Sequence, residues 1–89
     1  MTGRRVIVHG LVQGVGFRWS CLRQAERLGV TGWVRNASDG SVELSVHGDD
    51  AATSAMLDWL RAGPPGANVE SIEQRDDTDP PPRRFEIRD

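Results

Sequence analysis

The segment Gln13-Gly14-Val15-Gly16-Phe17-Arg18 places two glycines and an arginine within six residues. Glycine adopts positive φ without steric cost, so Gly14 and Gly16 allow the backbone to turn its N–H groups inward as an anion-binding nest. A helix starting at this point adds partial positive charge from its N-terminus. Arg18 contributes a planar fork of donors matched to phosphate oxygens. Together these groups suit one tetrahedral anion. On the G-x-G alone, a tight turn with an exposed arginine is the better reading. Trp19 occupies the place of the third glycine of a dinucleotide fingerprint, and no Gly-Lys-Ser/Thr of a P-loop follows.

Other residues invite chemistry and fail on context. Cys21 and Arg27 have the spacing of a tyrosine-phosphatase loop, but the residues between them, Leu22-Arg23-Gln24-Ala25-Glu26, are helix formers without glycine. Cys21 also falls on an apolar stripe and reads as core. His9 and His47, without a neighbouring Cys or carboxylate cluster, are a weak metal signal and read as a solvated pair on the open face of a sheet. Trp33 and Arg35 share a face opposite Val34, as a stacked surface pair. Asp39 belongs to a turn, and the carboxylates from Glu70 to Asp79 read as a solvated acidic face.

Positioning these groups requires a scaffold, and the hydrophobic periodicity supplies one. Arg5–Val12 alternates as a strand, with Val6 and Val8 on one face and Ile7 and His9 on the other. Phe17, Cys21, Ala25 and Leu28 recur at helical spacing, and Gly29 is a left-handed cap. Thr31–Asn36 is a second strand, Ser38-Asp39-Gly40 a hairpin turn, and the next strand carries Val42, Leu44 and Val46 inward. Asp49 or Asp50 caps a second helix with the stripe Ala52, Ala55, Met56, Trp59 and Leu60, which Gly63-Pro64-Pro65-Gly66 stops. A weaker fourth strand spans Val69–Glu73, and Phe85 with Ile87 marks a short fifth. Residues 75–84, acidic and then proline-rich, read as a mobile loop with no catalytic role.

The order βαββαβ predicts an α+β fold, a ferredoxin-like split βαβ sandwich. Two helices lie on one face of a mainly antiparallel sheet. The first and second strands then run parallel with the third between them, so the glycine loop and Asn36 converge at one edge although far apart in sequence.

Two longer patterns carry a family resemblance. The first is Val8-x-Gly10-x-Val12-Gln13-Gly14-Val15-Gly16-Phe17-Arg18. The second is Gly32-Trp33-Val34-Arg35-Asn36, followed by Asp39-Gly40-Ser41-Val42. With Gly63-Pro64 and the final Phe85-Glu86-Ile87, they resemble the acylphosphatase family over essentially the whole chain, implying one domain over residues 1–89. The resemblance implies that Arg18 is the phosphate-binding arginine, that the backbone amides of Val15, Gly16, Phe17 and Arg18 complete the cradle, and that Asn36 orients water. The implied substrate is a small acyl phosphate, with inorganic phosphate as product and inhibitor and no metal or cofactor. Ala37 stands where a hydroxyl residue is common in the family.

So sparse a set of groups, without a general base or covalent nucleophile, suits this substrate. The leaving carboxylate has a conjugate acid of pKa about 4 and departs unprotonated. A loose transition state then needs mainly positioning and charge neutralisation.

Composition narrows the alternatives. Eleven basic residues against thirteen acidic give a net charge of −2 over 89 residues, a poor match to nucleic-acid binding. An RNA-binding sheet would carry aromatics where Ile7, His9, Glu43, Ser45 and His47 stand. One cysteine excludes an internal disulfide and fits a reducing compartment. No apolar run is long enough for secretion or membrane crossing, so a cytoplasmic protein that engages no membrane is expected. The competing function is a binding module like the domains with this signature that begin large carbamoyl-transfer proteins of hydrogenase maturation.

Overall fold

The computed structural model describes residues 1–88. The elements are β1 (Thr2–Leu11), α1 (Phe17–Leu28), β2 (Thr31–Asn36), β3 (Val42–Gly48), α2 (Asp50–Ala62), β4 (Asn68–Asp76) and β5 (Phe85–Arg88). They form one five-stranded sheet in the order β4-β1-β3-β2-β5, with both helices packed on it. β1 and β2 are each antiparallel to β3, with Val6 and Val34 both opposite Leu44. They therefore run parallel to one another with β3 between them, the split βαβ arrangement.

The core follows from alternation on the strands and the stripes on the helices. Val6, Val8, Val34, Leu44 and Val46 point under the helices, where Phe17, Cys21, Ala25, Met56 and Leu60 meet them. Phe17 and Trp59 join the helices, their ring centroids 6.3 Å apart. Burial pushes the Cys21 thiol pKa far up and leaves it a core group. At the C-terminus of α1, Gly29 takes φ 75°, and the amide of Val30 donates to Ala25 O at 2.9 Å. Asp49 is the cap of α2: its Oδ1 accepts from the Ala52 amide at 2.7 Å.

Four expectations need correction. β1 starts at Thr2 rather than Arg5 and ends at Leu11, because Thr2, Gly3 and Arg4 pair with Gly48, His47 and Val46 of β3. β4 spans Asn68–Asp76 rather than Val69–Glu73, so the first two residues of the expected loop are strand. His9 and His47 are not neighbours, since the antiparallel register sets His47 against Gly3, at the other end of β1.

His47 and Asp77 are also not solvated. The His47 Nε2 lies 2.9 Å from Ser45 Oγ, and Ser45 Oγ donates to Asp77 Oδ2 at 2.7 Å. Arg5 Nε donates to the same carboxylate at 3.1 Å, and only 2% of the Asp77 side chain is exposed. Burial pushes the Asp77 carboxyl up, but hydrogen bonds from Ser45, from the Asp79 amide and from Arg5 outweigh it and lower its pKa to about 2. Gly3 makes the arrangement possible, because a Cβ there would lie 2.7 Å from the His47 ring.

Candidate active site

The loop between β1 and α1 takes its shape from alternating handedness. Gly14 and Gly16 both have φ +76°, and no residue other than glycine has positive φ among those described. Left-handed and right-handed residues in alternation make a nest of N–H groups. A Cβ at Gly14 or Gly16 would meet nothing within 4 Å, so backbone conformation rather than space requires glycine here. Gly16 caps α1 without a side-chain bond, and the amide of Ser20 donates to Gly16 O at 3.0 Å. The amides of Val15, Gly16, Phe17 and Arg18 precede it, where a helix offers its N–H groups no internal carbonyl.

Phe17 is buried, which anchors the first turn of α1 in the core and turns its neighbours Arg18 and Trp19 outward. Among the described residues, Arg18 makes no ion pair. Asn36, the last residue of β2, is half-buried at the same edge.

Gln13 connects the two segments. Its Nε2 donates to Ala37 O and to Ser41 O, each at 2.8 Å, tying the loop to the β2–β3 turn next to Asn36. The turn is itself held by Asp39, whose Oδ1 accepts from Ser41 Oγ at 2.6 Å and from the Ser41 amide at 3.0 Å. These bonds hold the Asp39 carboxyl below its ordinary pKa. Asp39 is a turn residue, as its sequence context indicates.

A cleft of about 190 Å³ opens at this edge. Gly14 and Gly16 line it from the loop, Phe17, Arg18 and Trp19 from the first turn of α1, and Asn36 from the end of β2. The structure therefore brings Arg18 and Asn36 to one cavity, with the amide-bearing loop along its wall. Val15 is not among the lining residues, its side chain packing against the core.

Val12 and Ile87 complete the lining. Ile87 reaches the cleft because β5 runs parallel to β2, with Ile87 beside Val34, so the C-terminal ends of β1, β2 and β5 share one edge. Sequence reasoning assigned no role to Ile87 or Trp19; the available signal was a tryptophan next to Arg18 and off the apolar stripe of α1.

Away from the cleft, the open face of the sheet is a charged layer around Trp33. Arg5, Arg35 and Arg88 lie 5.0, 6.0 and 5.3 Å from its ring centroid, which realises the Trp33–Arg35 stack and adds two more cations. Glu43 accepts from Arg35 Nη2 at 2.6 Å. His9 pairs with Glu73. No cluster of three or more His, Cys, Asp or Glu suited to a metal occurs among the described residues, and no described helix is long and apolar enough to cross a membrane.

Comparisons with known proteins agree with this fold. The acylphosphatase family model matches residues 4–87. An acylphosphatase of Synechococcus is 51% identical over 69 residues, 78% of this chain and 59% of that protein's length. An acylphosphatase of Nocardioides is 49% identical over 83 residues, 93% of this chain and 84% of its own. The solved structure of an acylphosphatase from Coxiella burnetii superposes with a TM-score of 0.93 at 39% identity, covering 98% of this chain and 92% of that one. A match that runs from β1 into β5, through the cradle loop and Asn36, means that the chain belongs to the acylphosphatase family.

Proposed function

We propose that residues 1–89 act as one catalytic domain that hydrolyses acyl phosphates to carboxylate and inorganic phosphate, with Arg18, the loop amides and Asn36 as the working groups. The observation that carries the reading is the shared cleft: a guanidinium, a nest at a helix N-terminus and a neutral amide face one space.

Arg18 and the amides of Val15, Gly16, Phe17 and Arg18 hold the phosphoryl oxygens and offset the charge that develops on them. Asn36 orients a water in line with the bond to be broken. The water oxygen bonds to phosphorus, and the phosphorus–acyl oxygen bond breaks with its electron pair leaving on the carboxylate. The water's proton passes to a phosphoryl oxygen. The cradle recognises the product as well as the substrate, so inorganic phosphate acts as a competitive inhibitor. The single buried thiol suits a reducing cytoplasm.

The decisive experiment is a steady-state assay with benzoyl phosphate, without added metal and in the presence of EDTA. Turnover far above the spontaneous rate is expected. Loss of activity on chelation, restored by a divalent metal, would overturn the mechanism, and a rate equal to the spontaneous one would leave a phosphate-binding module.

A further inference from the structure

The cleft is lined by groups of two chemistries. Arg18, Asn36 and the glycine loop are its polar lining, while Val12, Phe17, Trp19 and Ile87 are its apolar lining. Trp19 is 59% exposed and Ile87 38%, whereas nearly every other large apolar side chain is buried or half-buried; the further exceptions are Met1 and Leu11. Single exposed apolar residues are ordinary on a protein surface. Two of them lining the cavity that Arg18 also lines are not scattered.

We propose that Trp19 and Ile87 seat the acyl group, so that the enzyme favours flat apolar acyl phosphates, aryl ones above all, over acetyl phosphate. This rests on the hydrolysis reading above. In an acyl phosphate a single bridging oxygen separates phosphorus from the carbonyl carbon. With the phosphoryl group on Arg18, the acyl group has to lie within a few ångströms, where the first turn of α1 presents the neighbouring side chain, Trp19, and β5 presents Ile87.

The size of the cleft points the same way. An apolar cavity of about 150 Å³ accommodates one benzene ring. A cleft of about 190 Å³ shared with a phosphoryl group cannot enclose such a ring, so one face of it rests on the indole at the rim. Charge sets the other limit. Arg18 is the sole charged side chain among the described residues lining the cleft, and the phosphoryl group occupies it. A carboxylate or ammonium on the acyl group finds no counter-ion there.

The test compares kcat/KM for benzoyl phosphate and acetyl phosphate in the natural chain, Trp19→Ala, Trp19→Phe and Ile87→Ala. The change in the benzoyl-to-acetyl ratio between variants cancels the different intrinsic reactivities of the two anhydrides. Trp19→Ala should lower the ratio roughly three- to ten-fold, mainly through KM for benzoyl phosphate. Trp19→Phe should retain most of it, and Ile87→Ala should lower it a few-fold. Inhibition by inorganic phosphate, which has no acyl part, should keep its constant.

An unchanged ratio in Trp19→Ala, or an equal loss on both substrates, overturns the acyl seat and leaves the hydrolysis reading standing. A natural chain that hydrolyses neither substrate sinks both.

Discussion

Arg18 and Asn36 share a cleft but act on different partners in the proposed reaction, one on phosphate and the other on water. Arg18→Ala should abolish turnover and weaken inhibition by inorganic phosphate, and Arg18→Lys should rescue little, because an ammonium cannot reproduce a bidentate fork. Asn36→Ala should lower kcat by roughly 10²–10³ and leave phosphate inhibition nearly unchanged. Measuring kcat and the phosphate inhibition constant for each variant, with circular dichroism to confirm folding, decides the assignment. If Asn36→Ala loses phosphate as severely as Arg18→Ala does, the division of labour is wrong. Neither a guanidinium nor an amide titrates between pH 5 and 8, so kcat should stay nearly flat across that range. A sigmoidal limb within that range would bring a titrating group into the mechanism and contradict it. Cys21→Ser tests the rejected nucleophile: turnover should persist in the folded fraction, with about 1–3 kcal/mol of stability lost to a buried hydroxyl.

The elements hold these residues in register, and Gln13 is the joint between them. Its two hydrogen bonds to the β2–β3 turn fix the cradle relative to Asn36. Gln13→Ala should therefore lower kcat by up to about 10²-fold, the scale of a misplacement near 1 Å. A variant with unchanged kcat would make the joint structural only. Elements with punctuation at both ends were legible in the sequence. α1 runs between Gly16 and Gly29, and β2 lies between the Gly29 cap and the Asp39-Gly40 turn. β4 was harder, because its register shifts opposite His9 and Gly10. The shift separates its two core-facing residues, Val69 and Ile72, by three positions instead of two, which breaks the alternation that marks a strand. Gly14, Gly16 and Arg18, the proposed cradle residues, could be singled out in the sequence because their spacing is local. Placing Ile87 in the cleft depends on the parallel pairing of β5 with β2, a long-range choice that four residues of strand do not encode.

At the scale of the whole molecule, Asp77 joins parts of the chain that are remote in sequence. Its amide donates to Gly3 O, and its carboxylate accepts from Arg5 on β1 and Ser45 on β3. With the folded carboxyl near pKa 2 and an unfolded one near 3.9, this group adds stability in full above about pH 4 and loses it as pH falls through 2. The difference is about 2–3 kcal/mol. Denaturant unfolding at pH 7 and pH 3 should show part of that loss in the natural chain and less of it in Asp77→Asn; an identical pH dependence in the two would remove Asp77 from the account. The strand order has a separate consequence for how the chain is made. β1 pairs only with β3 and β4, and β2 only with β3 and β5. As synthesis proceeds from the N-terminus, β1 and β2 both emerge before any strand that either can join. Until Val42–Gly48 is out, the nascent chain carries Val6, Val8 and Val34 with no sheet to bury them, and a fragment ending at Ser41 should show no strand signal in circular dichroism. Sheet formation waits for its middle strand, and the cleft, whose walls hang from β1 and β2, waits with it.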